Sequence, residues 1–212
     1  MKLFYSPGAC SLAVHIALRE IERTFELERV DLKSHRTTTG ADFTQINPKG
    51  YVPALRLNGT GADILTEVAA VLQYVADLAP EYQLAPANGT FARYHLQEWL
   101  AFIGDEIHKQ FRPLFHPETP APTVEGLRIK LARRFSYIDT SLADRPYLMG
   151  QTFTVADAFL YVMLRWCERF DIDLARWRNL DDYFHRIAAR PAVQAALVAE
   201  GLIEHKRYRR SA

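Results

Sequence analysis

The stretch Met1-Lys2-Leu3-Phe4-Tyr5-Ser6-Pro7-Gly8-Ala9-Cys10-Ser11-Leu12 decides how this chain is read. A short apolar run, Leu3-Phe4-Tyr5, ends in a Ser-Pro-Gly turn and gives way to Val14, Ala17, Leu18 and Ile21, which repeat at helical spacing. The pattern predicts strand, tight turn and helix, with Cys10 near the helix start. Unpaired N–H groups and the positive end of the helix dipole favour an anion there, so a thiol at that point is expected to shift toward thiolate and to react. Buried free cysteines are also common, and Cys10 has no CxxC partner. Position alone therefore leaves a reactive thiol and an inert packing thiol both open.

The 212 residues are 49% apolar and 12% aromatic, enough for a real core in one large or two small domains. Lys and Arg total 26 against 25 Asp and Glu, a formal charge of +1, which makes no overall electrostatic case for nucleic acid or a membrane surface as partner. The N-terminus lacks a charged leader followed by a long apolar run, and no apolar run approaches spanning length. Two cysteines do not make a disulfide framework and suit a reducing compartment, so the expected location is the cytoplasm. No metal-ligating set is assigned. The stretch His205-Lys206-Arg207-Tyr208-Arg209-Arg210 reads as a solvated, disordered basic tail over residues 205–212.

Outward from the first helix, Phe25-Glu26-Leu27 opens an alternating run reaching Val30 and Leu32, followed by a polar loop from Lys33 to Gly40. Val52-Pro53-Ala54-Leu55-Arg56-Leu57 and Ala62-Asp63-Ile64-Leu65 flank Asn58-Gly59-Thr60-Gly61 as a hairpin. A helix follows through Val68, Val71, Leu72 and Val75, with Thr66 as its expected cap. The order is βαβ, then ββα, over residues 1–80. A connector spans 81–88, and beyond it the strand signals stop. Residues 89–204 read as an all-helical domain, marked by Leu96, Ile103 and Ile107, by Leu127, Leu131, Phe135 and Ile138, by Phe159, Val162, Met163 and Trp166, and by Leu180, Tyr183, Phe184 and Ile187. Thr154-Val155-Ala156-Asp157 has the spacing of a capping box and a structural role only.

Taken in order, Tyr5-Ser6-Pro7-Gly8-Ala9-Cys10-Ser11, Asn47-Pro48-Lys49-Gly50-Tyr51-Val52-Pro53, Leu65-Thr66-Glu67, Glu98-Trp99-Leu100, His108-Lys109 and the Thr154–Asp157 box resemble the cytosolic glutathione transferases, most of all the bacterial beta class. The resemblance runs from residue 1 to about residue 204. It implies an α/β thioredoxin-like N-terminal domain (βαβ-ββα) plus an all-α C-terminal domain. It further implies that Pro53 is cis and that Val52 offers its backbone to the cysteinyl unit of glutathione like an added strand. Glu67 would meet the γ-glutamyl ammonium, with backbone N–H groups near Val68 receiving the ligand carboxylate. Tyr51 belongs to the same glutathione surface, and Lys33 or His35 would reach the glycyl carboxylate. His108 would stand at the mouth of the site beside Cys10, with Lys109 near a glutathione carboxylate. Tyr5 matches the position where other classes hold the thiolate with a tyrosine hydroxyl, and Ser11 is a second hydroxyl candidate. The chain departs from the family at Val68, where Ser is frequent, and at Ala101, where beta-class relatives often carry Asn.

The function implied is conjugation of glutathione, as co-substrate, to apolar electrophiles, with Cys10-dependent thiol–disulfide exchange beside it and no permanently bound cofactor. The electrophile would lie between the domains near Phe102, Gly104, Phe111, Phe115 and Trp166, and the family implies a twofold homodimer. Two alternatives stand beside it: a glutaredoxin-like, glutathione-dependent oxidoreductase with Cys10 as nucleophile, and a non-catalytic binding protein that kept the fold.

Overall fold

Successive strand residues point to opposite faces, and β1 (Lys2–Tyr5) accordingly buries Leu3 in one apolar cluster and Phe4 in another. The computed structural model describes residues 1–57 and 63–204; the Asn58–Gly61 turn with Ala62, and the basic tail 205–212, lie outside the described residues. After β1 come α1 (Ser11–Glu20), β2 (Glu26–Asp31), β3 (Arg36–Thr37), β4 (Ala54–Arg56), β5 (Ile64–Thr66) and α2 (Val68–Asp77). The five-stranded sheet has the order β3-β2-β1-β4-β5. β1 runs parallel to β2, with Leu3 opposite Leu27, and antiparallel to β4, with Leu3 opposite Leu55. β3 and β5 add antiparallel edges. This is the βαβ-ββα order the sequence predicts.

The described remainder is helical: α3 (Phe91–Phe102), a π-helical segment (Ile103–His108), α4 (Lys109–Phe111), α5 (Ala121–Ser141), α6 (Val155–Arg169), α7 (Arg178–Ala188) and α8 (Pro191–Ala199). From Ser11 to Leu18 every residue of α1 is buried, because α1 packs on β1 and α2 and also on α6 and α8. One apolar cluster consequently runs from Leu3 to Leu197. A second, smaller one (Phe4, Val30, Phe43, Val52 and Ala54) backs the other face of the sheet.

Several local expectations change. The polar loop from Lys33 to Gly40 contains β3, because Asp31 Oδ1 accepts from the N–H groups of Lys33 and Ser34, and His35 turns the chain at φ 53°. Thr66 ends β5 and does not cap α2; Glu67 holds the N-cap position at φ 70°. The connector 81–88 is pinned: the Leu84 carbonyl accepts Val155 N–H, and Arg93 bridges the Pro86 carbonyl and both oxygens of Asp77. α8 is a helix that the periodicity reading passed over, although Pro191 at its first turn with Val193, Ala196 and Leu197 buried carries the pattern.

The capping box forms at the start of α6. Asp157 is fully buried; Oδ2 accepts from Thr154 N–H at 2.7 Å and from Thr154 Oγ1 at 2.9 Å, and Oδ1 accepts from Leu148 N–H at 2.9 Å and Tyr183 Oη at 3.0 Å. Asp157→Ala strands these donors in the core, and each unsatisfied buried group costs about 1–3 kcal/mol. A loss of about 3 kcal/mol or more is expected in the denaturant midpoint analysis; a midpoint equal to that of the parent chain would sink the assignment.

Candidate active site

Cys10 stands at the N-cap position of α1 and is 9% exposed. Its Sγ–H donates to the Val52 carbonyl at 3.3 Å, which joins the start of α1 to the turn before β4. The Val52–Pro53 bond is cis, as the family resemblance implies. Burial pushes the thiol up to about 12; the backbone N–H groups of Cys10 and Ser11 pull the other way, and the Glu67 charge adds to the rise. Burial thus outweighs the pull of the helix start toward thiolate. A helix end contributes at most about 2 kcal/mol, whereas full desolvation shifts a group by roughly 3–5 pKa units at about 1.4 kcal/mol each.

Ser11 is not brought to the thiol. It is fully buried, its Oγ accepting from Ser6 N–H at 3.2 Å and lying 3.4 Å from the Ser6 carbonyl. Its hydroxyl closes the Ser6–Cys10 turn. Tyr5 looks toward His15, with ring centroids 6.3 Å apart, and its hydroxyl is held above the ordinary range by burial and by Glu200.

Glu67 gathers the charged side of the site. Its Oε1 receives Lys49 Nζ at 2.5 Å and Tyr51 Oη at 2.7 Å, and Lys49 also donates to Thr66 Oγ1 at 3.1 Å. The Lys49 bond first, then the Tyr51 bond, hold the carboxyl below its usual range. Its left-handed backbone is a conformation that costs a non-glycine residue on the order of 1–3 kcal/mol. Val68, the next residue, is buried at the start of α2.

His108 sits in the π-helical segment with its ring 5.8 Å from Phe159 and 5.4 Å from Trp166. Burial first, then the Arg112 charge, lower its pKa, so the imidazole is neutral at pH 7. The Glu67 charge reaches both Cys10 and His108, which places all three within one electrostatic neighbourhood. The Lys109 charge also lowers His108, but its ammonium pairs with Asp105 at 2.6 Å on an exposed face. Lys33 is likewise exposed, its backbone N–H on Asp31 Oδ1. His35 is closer in, its ring against Gly50 and its Nδ1 buried without a hydrogen-bond partner among the described residues.

Phe115 and Trp166 form one aromatic wall, centroids 5.0 Å apart, over the fully buried Phe111. Phe170 completes it at 4.8 Å from Phe115. Phe102 belongs elsewhere, packed with Trp99 and Tyr137. At Gly104 an added Cβ would stand 3.9 Å from Phe159. The sequence reading missed Lys49, Arg112 and Phe170. Lys49 lay inside a quoted motif, and Phe170 follows Trp166 at helical spacing; Arg112 had no local signal. Among the described residues no His/Cys/Asp/Glu group could hold a metal, and no helix is long and apolar enough to cross a membrane.

Comparison with known proteins gives the arrangement its family. The glutathione S-transferase N-terminal domain matches residues 8–78, and the glutathione S-transferase C-terminal domain matches residues 102–191. Glutathione S-transferase GstA of Escherichia coli O157:H7 is 45% identical over 203 residues, covering 95% of this chain and all of that protein. A sphingomonad glutathione S-transferase solved with glutathione is 48% identical, with a TM-score of 0.91 over 96% of this chain and all of the other. The bacterial beta-class glutathione S-transferase of Sphingomonas chungbukensis aligns with the same TM-score and coverage at 46% identity. With this fold, this site and these relatives, the chain belongs to the glutathione S-transferase family, beside its bacterial beta class.

Proposed function

We propose that this chain conjugates glutathione to apolar electrophiles where the start of α1, the Val52–Pro53 turn, Glu67 and His108 converge. The observation that carries the reading is the buried Cys10 thiol on the Val52 carbonyl, within reach of the Glu67 charge. Glutathione's cysteinyl backbone would pair with Val52, and its γ-glutamyl ammonium with the free face of Glu67. Its α-carboxylate would take backbone N–H groups at the start of α2, which need no hydroxyl at position 68. His35, the better placed of the two loop candidates, would receive the glycyl carboxylate. A neutral His108 would accept the glutathione thiol proton. The thiolate, stabilised by α1 N–H groups and the Cys10 S–H, then attacks the electrophilic carbon; an S–C bond forms and the leaving group departs as its anion. Phe115, Trp166 and Phe170 would hold that electrophile.

Exchange at Cys10 would be the slower activity. The Cys10 thiolate attacks the glutathionyl sulfur of a glutathione mixed disulfide, takes up that sulfur and expels the substrate thiolate, which takes up a proton; a glutathione thiolate then restores Cys10 and leaves as oxidised glutathione. We place the protein in a reducing cytoplasm, where both free cysteines, Cys10 and Cys167, persist as thiols. We also propose the family's twofold dimer, for which the exposed Phe91, Tyr94 and Tyr137 on α3 and α5 offer apolar surface.

Conjugation of glutathione to an aryl halide is expected to survive Cys10→Ala within about tenfold, while the mixed disulfide with oxidised glutathione disappears from the mass spectrum. Loss of conjugation in the variant would make Cys10 the sole thiolate stabiliser and overturn the role given to backbone donors. Far below the raised pKa, the thiolate fraction grows about tenfold per pH unit. Iodoacetamide alkylation of Cys10 should therefore climb steadily from pH 7 to 9; a plateau below pH 8 would contradict a thiol held near 12. Light scattering should return twice the chain mass, and a monomer at micromolar concentration would remove the dimer.

A further inference from the structure

Gly8, two residues before Cys10, is held by groups from the far end of the chain. Its N–H donates to Glu200 Oε2 at 2.9 Å, and its carbonyl accepts Trp166 Nε1–H at 2.8 Å. Its backbone is left-handed at φ +69°, and a Cβ there would lie 3.5 Å from Leu202. The other carboxylate oxygen, Glu200 Oε1, lies 2.9 Å from His15 Nδ1, and neither side chain is exposed. His15 Nε2 in turn accepts Arg19 Nε–H at 2.9 Å.

These contacts assign the imidazole tautomer. An arginine Nε can only donate, so His15 Nε2 is bare, the imidazole proton is on Nδ1, and that N–H points at Glu200. Glu200 thus faces two donors, His15 Nδ1–H and Gly8 N–H, one on each oxygen. A carboxylate answers both, whereas the amide of glutamine has one acceptor oxygen and would set its NH2 against a donor.

We propose that Glu200 is a positioning residue for Cys10: through Gly8 it holds the Ser6–Cys10 turn so that the thiol stays buried against the Val52 carbonyl. The inference rests on the reading of the Cys10 face as the glutathione site. The turn's own ties are Ala9 N–H to the Ser6 carbonyl, Ser6 N–H to Ser11 Oγ, Ser11 Oγ to the Ser6 carbonyl and Leu12 N–H to the Ala9 carbonyl, and none of them engages Gly8. Both backbone groups of Gly8 are satisfied from outside it, by Glu200 and Trp166. Without Glu200 the part-buried Gly8 N–H and the buried His15 Nδ1–H lose their acceptor, and the turn relaxes where Cys10 begins α1.

The test compares the parent chain with Glu200→Ala, Glu200→Gln and a control, Arg190→Gln. The control breaks the two-bond Arg190–Glu20 ion pair between the same halves without touching Gly8. At a temperature where circular dichroism shows each variant folded, Glu200→Ala should lower kcat for glutathione conjugation about ten- to a hundredfold. In the same variant, alkylation of Cys10 by iodoacetamide at pH 7 should rise about tenfold as the thiol loses its burial. Glu200→Gln should fall between, and Arg190→Gln should keep both parent values. The proposal is overturned if folded Glu200→Ala keeps both rates within about twofold of the parent, or if the control shifts them equally. A parent chain that conjugates no glutathione defeats the proposed function instead, and the alkylation arm still judges Glu200. Should both Glu200 variants fail to fold, hydrogen exchange on the parent chain decides: Gly8 N–H protected about a hundredfold supports the clamp, and exchange at the unstructured rate refutes it.

Discussion

Helix α1 offers no face to solvent between Ser11 and Leu18, and the rest of the molecule is arranged around that constraint. The sheet and α2 cover it from one half of the chain, α6 and α8 from the other. A helix enclosed in this way cannot leave polar side chains unpaired, because each orphaned group costs on the order of a kilocalorie per mole or more. Ser11 therefore turns back to Ser6, and His15 finds Glu200, 185 residues away in sequence. Burying one helix commits the two halves of the chain to a common core.

The same enclosure sets the chemistry of Cys10. Two effects oppose each other at the start of α1, the helix terminus favouring a thiolate and the dry surroundings favouring a thiol. Desolvation prevails, and the Glu67 charge reinforces it. A protonated Cys10 is suited to donate its hydrogen, as it does to Val52, more than to attack. His108 moves in the complementary direction: burial and Arg112 keep it neutral, so it can accept a proton at pH 7. Environment thus separates a thiol held protonated from an imidazole held neutral, in spite of their shared neighbourhood.

Glu67 and the aromatic wall divide the polar and apolar duties of the site. Lys49 and Tyr51 pin Glu67 from the 47–53 turn, in a backbone conformation that such ties help maintain. On the other side Trp166 contributes twice, its ring to the Phe115 and His108 contacts and its N–H to Gly8. The aromatic wall and the turn that carries Cys10 are thereby joined through one side chain.

Much of the fold was legible along the chain. A short apolar run marked β1, alternation marked β2, hairpin flanks marked β4 and β5, helical spacing marked α1, α2, α3, α5, α6 and α7, and Thr154 with Asp157 announced the start of α6. These succeed because strand and helix periodicities are local properties of the backbone. β3 and α8 were missed because a two-residue strand and a short helix carry few periods. In the site, motifs pointed to Cys10, Val52, Glu67 and His108, yet Ser11, Lys109 and Phe102 face other partners. The sequence by itself determined the strand-turn-helix opening, the helical second half and which residue types stand near the site. Only the tertiary structure decided the sign of the Cys10 shift, the aromatic wall and the clamp on Gly8. Desolvation and hydrogen bonding depend on neighbours that folding brings in from 42 residues away at Val52 and 192 at Glu200, beyond the reach of any local pattern.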